Sequence, residues 1–113
     1  MLLKEKKEIE AWLNQHKIVN YTLIENKEYG YVVNVNDNVL LFKKKLKNIP
    51  VKFNEINGWF DCSSNELTSL EGSPEIVNDS FFSNHNQLKS IKYCPKIIKK
   101  SCYFHHNKLI LNS

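Results

Sequence analysis

The second half of the chain repeats its pattern of apolar and polar positions every 21 residues. One copy combines a strand-like apolar position, an asparagine, two leucines and a proline: Phe60, Asn65, Leu67, Leu70 and Pro74. The same slots recur at Phe81, Asn86, Leu88, Ile91 and Pro95, and then at Cys102, Asn107 and Leu109. A less regular earlier copy has lysine in the asparagine slot: Val39, Leu41, Lys44, Leu46 and Ile49. A fixed period of about 20–29 residues indicates a solenoid.

The asparagine of each repeat has a physical reason to be there. The chain must turn out of a short strand in every repeat, which leaves backbone N–H and C=O groups without strand partners. An amide side chain that points inward can both donate to and accept from such groups. We therefore predict that Asn65, Asn86 and Asn107 form a ladder of inward amides. The alternative is that the three residues lie in surface turns, but the aligned leucines favour the ladder.

Residues 1–36 follow other patterns and predict a helix and a hairpin. Within residues 3–16, apolar and aromatic side chains recur at helical spacing: Ile9, Trp12, Leu13 and His16. The segments 18–25 and 31–36 are rich in β-forming residues and are joined through a turn at Gly30. A repeat stack must cover its first apolar layer, so we expect this helix and hairpin to act as a cap.

Together these patterns predict an α+β fold. The chain has 113 residues, which suits one domain with a modest core. The helix and hairpin of residues 1–36 would cap a short leucine-rich-repeat-like solenoid over residues 37–113. We expect about three to four repeats that form one curved sheet.

The repeat resembles known families. The spacing of its strand, asparagine and leucines is similar to the leucine-rich repeat, and its short length and ending resemble the repeats of bacterial effector proteins. A more specific resemblance, to a family of small repeat proteins found in phage genomes, rests on the set Gly58, Phe60, Cys62, Ser63, Asn65, Leu67, Thr68, Ser69, Leu70, Glu71, Gly72 and Pro74. The upstream set Trp12, Leu13, Ile18, Asn20, Tyr21, Thr22 and Leu23 also resembles that family. The last repeat, KKSCYFHHNKLILNS, departs from the pattern.

Strand alternation predicts which side chains face outward. If Phe60 and Cys62 point inward, their strand neighbours point to solvent. Stacked strands then join these positions into one surface with a basic residue at one end and histidines at the other. The predicted partner-binding residues are Leu40, Phe42, Lys43, Trp59, Asp61, Phe82, His85, Tyr103, His105 and His106. Apolar patches rimmed by polar groups mark interaction surfaces. The alternative is that the hairpin folds over Leu40 and Phe42.

Charge along the chain is banded. Residues 43–54 carry five lysines and no acid, and residues 55–79 carry six acids and no lysine. Residues 80–113 carry six lysines and no acid, and the chain has no arginine. A basic cluster and aromatic side chains on a sheet are also typical of nucleic-acid-binding proteins, which is the alternative hypothesis. The acidic band and the missing arginine argue against it and favour a protein partner with complementary charge.

Candidate chemistry is sparse. His85 and His106 are one period apart, but no cysteine or carboxylate completes a metal set with them, so we expect no metal and no other cofactor. No glycine loop, nucleophile or acid–base pair has motif-level support, so we expect no enzyme. The cysteine count is odd and has no CxxC pair, which indicates reduced thiols. No membrane span or signal peptide is apparent, and we expect a cytoplasmic protein.

These observations predict a non-enzymatic binding protein whose outward sheet face captures another macromolecule. The phage resemblance implies a partner in the bacterial host, a protein or a ribonucleoprotein complex, and a role as an inhibitor of host defence such as an anti-CRISPR protein. The alternatives are a nucleic-acid-binding accessory protein and a structural component of the virion. The last strand would be an open edge, and such edges can pair with a second copy, so a homodimer there is a further expectation.

Overall fold

A computed structural model describes residues 2–110 of the chain. The predicted cap (1–36) and solenoid (37–113) extend beyond these described residues, to residue 1 and to residues 111–113. The fold is α+β, with one helix and a β-solenoid of about three turns. The elements in chain order are α1 (Lys6–Gln15), β1 (Tyr21–Asn26), β2 (Gly30–Val35), β3 (Val39–Leu40), β4 (Phe53–Ile56), β5 (Phe60–Asp61), β6 (Ile76–Val77), β7 (Phe81–Phe82), β8 (Ile97–Ile98) and β9 (Cys102–Tyr103).

Helix α1 is shorter than the predicted span at its start. It begins at Lys6, since the backbone of Glu5 is still extended, and before it the N–H of Leu3 donates to Pro50 O (2.7 Å) and ties this segment to the solenoid. It ends at Gln15; Lys17, just beyond the C-cap His16, is left-handed (φ 61°), and Ile18 N–H donates back to Leu13 O (2.9 Å). This pattern satisfies the last helical carbonyls, and it brings Ile18 into the core beside Leu13.

The predicted hairpin is present as β1 and β2, which pair antiparallel from Tyr21↔Val35 to Asn26↔Gly30. Its turn is closed by Asn26, whose Oδ1 accepts from the backbone of Glu28 (2.9 Å) and Tyr29 (3.0 Å). Gly30 takes a positive φ of 81°, as the turn requires. Strand β2 then pairs in parallel with β4, so the hairpin supplies the first strands of a solenoid sheet.

The prediction of one sheet is wrong, because each coil carries two short strands that join different sheets. The sheet orders are β1-β2-β4-β6-β8 and β3-β5-β7-β9. Successive coils pair in parallel 21 residues apart, as in Glu55↔Ile76 and Phe60↔Phe81. A corner between the two strands changes the chain direction. At Gly58 the chain passes so close to Asn38 that a Cβ would lie 2.9 Å from its backbone nitrogen, and there glycine is required.

The core lies between the two sheets and is built from the predicted inward positions. The ring of Phe53 from one sheet lies 5.0 Å from that of Phe60 in the other, and Phe60 stacks on Phe81 at 5.9 Å. All three rings are fully buried. Helix α1 adds Ile9 and Leu13 to the same cluster. Among residues 2–110, no helix has the length and apolar composition needed to cross a membrane.

The asparagine ladder is present as predicted. Asn65 Oδ1 accepts from the backbone of Lys44 (2.9 Å) and Leu46 (3.0 Å) in the coil before it, and its Nδ2 donates to Leu41 O (2.8 Å). Asn86 and Asn107 repeat this pattern one and two coils later, with Oδ1 accepting from Leu67 and Leu88 respectively, both at 2.9 Å. Each amide therefore joins its own turn to the preceding coil.

Candidate functional site

The outward side of the β3-β5-β7-β9 sheet presents large apolar side chains from four successive coils. We call this surface the aromatic face, and its residues are Leu40, Phe42, Trp59, Phe82 and Tyr103. One column runs through all four strands, because Leu40 pairs with Asp61, Asp61 with Phe82, and Phe82 with Tyr103. The strand phase is as predicted, since Phe60 and Phe81 are fully buried beside these outward positions.

The side chains of the aromatic face remain open to solvent. Leu40, Phe42 and Trp59 are each 44% exposed, and Tyr103 is 39% exposed. The hairpin therefore does not cover Leu40 and Phe42. The ring of Phe82 lies between Trp59 (6.3 Å between centroids) and Tyr103 (4.8 Å, nearly parallel). Three residues of the face, Trp59, Phe82 and Tyr103, thus form a row of rings in contact across successive coils.

Asp61 is the acidic residue within this row. Its Oδ1 accepts from the backbone N–H of Ser63 (2.9 Å) and from the Ser63 hydroxyl (2.5 Å). These bonds fix the carboxylate in the column between Leu40 and Phe82. The centre of the aromatic face therefore carries a carboxylate whose position is fixed by hydrogen bonds from Ser63.

A column of left-handed residues runs along one border of the aromatic face, at the turn that precedes the asparagine ladder. We call it the left-handed column; its members are Lys43 (φ 53°), Ser64, His85 and His106 (φ 56° each). The backbone N–H of Ser64 donates to Asn84 O (3.0 Å), and that of His85 donates to His105 O (3.0 Å). These bonds repeat along the stack and place the next residue, the ladder amide, inward. The sequence analysis did not predict this backbone conformation.

The predicted histidines come together at one end of the left-handed column. We call His85, His105 and His106 the histidine cluster. The rings of His85 and His106 stack at 4.3 Å, and His105 lies 5.2 Å from His106 and 5.5 Å from His85. One ligand nitrogen from each ring lies within 4.8 Å of the others, and all three side chains are exposed. Desolvation, followed by the neighbouring His106 and His105, lowers the pKa of His85 below its usual value.

Lys43 lies at the opposite end, beside Phe42, in an exposed run that also includes Lys44, Lys45 and Lys47. Other lysines are used within the chain. Lys96 Nζ lies 3.3 Å from Glu75 Oε1, and Lys100 Nζ lies 3.5 Å from Asp79 Oδ2, each pair one period apart. The alternating charge bands therefore place opposite charges on neighbouring coils. The acidic band (55–79) and the last basic band (80–113) thus form ion pairs between adjacent coils.

Sequence reasoning did not find the buried lysine on the other sheet. Lys52 is 6% exposed, and its Nζ donates to Ser73 O and to Glu75 Oε2, both at 2.6 Å. The hydrogen bond from Lys52 is the largest cause of a lowered pKa at Glu75. Lys52 and Glu75 line a cleft of about 560 Å³ together with Tyr29 and Tyr93. Both charged groups are therefore already paired within the chain.

The cysteines are free; Cys62 belongs to the core, and Cys94 and Cys102 are partly buried against it. Burial raises the pKa of the Cys62 thiol far above its usual range. Burial and the neighbouring Cys94 raise the pKa of Cys102 to about 11. Both thiols are therefore protonated and weakly nucleophilic at neutral pH.

The structure also fixes the position of the last strands. Among the described residues, β8 and β9 form one end of their respective sheets. The homodimer expected at this end stays a prediction.

Comparison with protein-family models, with curated proteins and with solved structures finds no match to the chain. No relative therefore supplies a functional assignment, and the proposed function is based on the geometry of the aromatic face.

Proposed function

We propose that this chain is a non-enzymatic binding protein that captures another protein through the aromatic face. The observation that carries the proposal is the set of apolar side chains, 39–44% exposed at Leu40, Phe42, Trp59 and Tyr103, that lie in or next to the four paired strands of one sheet. Exposed apolar surface lowers solubility unless a partner covers it, and clustered aromatic side chains are typical of interface hot spots.

Rigidity adds to the case for the aromatic face. Leu40, Phe82 and Tyr103 project from paired strands, Phe42 and Trp59 flank such strands, and the asparagine ladder ties each coil to the next. The rings of Trp59, Phe82 and Tyr103 also contact one another, which restricts their rotamers before any partner arrives. A preorganised surface loses less conformational entropy on binding and so binds more tightly for the same contacts.

The charges around the aromatic face favour a protein over a nucleic acid. Asp61 lies in the row of rings, held by two hydrogen bonds from Ser63, and it would repel a phosphate backbone that crossed the face. Lys43 and its exposed lysine neighbours lie at one end, and the histidine cluster lies at the other. A partner with a basic group facing Asp61 and acidic groups facing the lysines would complement this arrangement.

The finer parts of the proposal rest on resemblance. The repeat resembles leucine-rich repeats, with the helix and hairpin in the role of a cap that covers the first apolar layer. The resemblance to small phage proteins directs the proposal to the cytoplasm of a bacterial host. There the partner would be a host protein or ribonucleoprotein, and the function would be inhibition of a defence system of the anti-CRISPR kind.

Affinity capture from a bacterial lysate tests the proposal, in parallel with a variant that carries Trp59→Ser and Phe82→Ser. The matched control carries Asn57→Ala and Asn78→Ala on the other sheet. Nuclease treatment of half of each lysate separates protein capture from capture through nucleic acid.

The proposal expects one protein, identified by mass spectrometry, that the wild type and the control retain after nuclease treatment and that the Trp59 and Phe82 variant loses. Retention that disappears with nuclease would favour the nucleic-acid-binding alternative. Capture of virion components would favour a structural role.

A further inference from the structure

Two of the three members of the histidine cluster have a left-handed backbone, which side-chain-bearing residues adopt only occasionally. His85 and His106 both lie in the left-handed column with φ 56°, a conformation that glycine and asparagine adopt most readily. The other members, Lys43 and Ser64, show that the column tolerates several polar residues. The backbone geometry alone therefore does not explain why the last two members are both histidine.

The third ring is brought in by strand pairing. His105 follows β9, and its carbonyl accepts from the backbone N–H of His85 (3.0 Å), which fixes the two coils relative to each other at this point. Its ring lies edge-on to both neighbours, at 5.5 Å from His85 and 5.2 Å from His106. The three rings thus stand on a backbone whose register is set by hydrogen bonds.

We propose that His85, His105 and His106 bind a divalent transition-metal ion of the zinc class. The ligand nitrogens already lie within 4.8 Å of one another. Tetrahedral coordination at zinc–nitrogen distances of about 2.0–2.1 Å places them about 3.3 Å apart. All three side chains are exposed, and rotation about the ring torsion is soft, so small ring movements bring the nitrogens together.

The chemistry of the cluster selects the metal. Three imidazoles without a carboxylate suit zinc, copper or nickel and disfavour magnesium and calcium, which prefer oxygen ligands. The expectation of no metal assumed that a cysteine or carboxylate had to complete the set. Three histidines with water in the fourth position are a complete set, because zinc sites with three protein ligands keep that position open.

The site lies beside the aromatic face, since the ring of His105 is 6.3 Å from that of Tyr103. An ion held there would add a positive charge and an exchangeable ligand position at the end of this face. The metal site itself does not depend on the proposed protein partner, and it can be tested on the isolated chain.

Calorimetric titration of the tag-free protein with zinc chloride tests the proposal, with nickel chloride as a second probe. His85→Asn and His106→Asn are the informative variants, because asparagine favours the left-handed conformation and preserves the turn. His16→Gln is the control, since His16 lies at the C-terminal end of α1, just after Gln15, where its Nδ1 contacts Trp12 O at 2.9 Å. Thermal melts establish that each variant is folded.

The proposal expects one zinc ion per chain, an affinity at least about tenfold weaker in each asparagine variant, and no change in His16→Gln. NMR spectra of the wild type should show zinc-dependent shifts of the three imidazoles. No detectable binding, equal binding by the folded asparagine variants, or one ion per two chains with dimer formation would each overturn it.

Discussion

The two sheets of the solenoid share the same 21-residue period but present opposite outer faces. We call the outer side of the β1-β2-β4-β6-β8 sheet the polar face, and its main residues are Asn34, Asn36, Asn54, Glu55, Asn57 and Asn78. Here the side chains bond to each other: Asn78 Nδ2 donates to Asn57 Oδ1 (2.5 Å), and Asn57 Nδ2 donates to Asn36 Oδ1 (3.3 Å). The aromatic face instead carries rings and aliphatic side chains that stay 39–44% exposed at four positions.

This contrast separates residues that hold the coils together from residues available to a partner. Many polar side chains of the polar face form hydrogen bonds with one another. Asn78 Nδ2, for example, donates also to Glu55 Oε2 (2.9 Å). The rings of the aromatic face also touch across coils, but those contacts leave large apolar area in water. Because the polar face shows that coils can stack through polar side chains, stacking alone does not require exposed aromatic residues.

The largest expected effect lies beneath the aromatic face. Replacing a buried phenylalanine by alanine costs about 3–5 kcal/mol, and the whole domain is worth about 5–15 kcal/mol. We therefore expect Phe60→Ala combined with Phe81→Ala to unfold the protein, as measured by far-UV circular dichroism and thermal melting. Phe60→Leu, the control, should keep a cooperative melt. A folded double variant would show that the inward positions are assigned wrongly.

The next effect compares the two asparagine series. Asn86 is 4% exposed and satisfies backbone groups of two coils, including Leu67 N–H. Asn86→Ala should lower the free energy of unfolding by about 1–3 kcal/mol, because buried donors and acceptors lose their partners. Asn78→Ala on the polar face should cost less than about 1 kcal/mol, since water can replace its bonds. Urea unfolding measures the change in unfolding free energy for both variants. Equal changes would show that the buried ladder asparagines stabilise the fold no more than the asparagines of the polar face.

An intermediate effect is expected at the buried lysine beneath the polar face. Glu75→Gln removes the charge that faces Lys52 and should cost about 1 kcal/mol at pH 7, a modest value because the carboxylate is partly open to water. The folded-state pKa of Glu75 is lowered, so its contribution is present above the unfolded pKa and is lost as pH falls through the folded pKa.

Urea unfolding of the wild type and Glu75→Gln at pH 7 and at pH 3 checks this prediction. The difference in unfolding free energy between the two proteins should shrink in acid. A difference that stays constant, or grows, between the two pH values would show that the charge of Glu75 is not its source.

The sequence predicted the repeat, the helix, the hairpin and the inward ladder because each depends on side chains at a fixed spacing. It did not predict the second strand of each coil. Segments such as Ile76–Val77 are too short to show strand alternation, although Ile56, Val77 and Ile98 recur at the repeat period. The division into two sheets depends on corner geometry, such as the close approach of Gly58 to Asn38.

The candidate site was predictable where strand alternation decides it, as at Trp59 and Phe82. The histidine cluster was only partly predictable, because the spacing placed His85 and His106 on adjacent coils but could not give ring distances. The buried pairing of Lys52 with Glu75 was not predictable either. It joins residues 23 positions apart and so falls outside the 21-residue register.

The aromatic face itself should tolerate truncation better than the buried phenylalanines beneath it. Trp59→Ala and Phe82→Ala remove partly exposed rings, and the aromatic contact between them is worth about 0.5–1.5 kcal/mol beyond the apolar area that the rings bury. The double variant should therefore remain folded and keep a cooperative melt, with a thermal midpoint below that of the wild type. Loss of the cooperative melt in this variant would assign the rings to the core.

We infer that the partner binds at the aromatic face and not at the polar face. Calorimetry with the captured partner protein compares the Trp59→Ala, Phe82→Ala variant with the Asn57→Ala, Asn78→Ala variant. The account predicts that the first variant raises Kd by about 30-fold or more, the equivalent of about 2 kcal/mol at an interface hot spot, while the second binds like the wild type. An unchanged Kd in the first variant, or an equal loss of affinity in both, would contradict it.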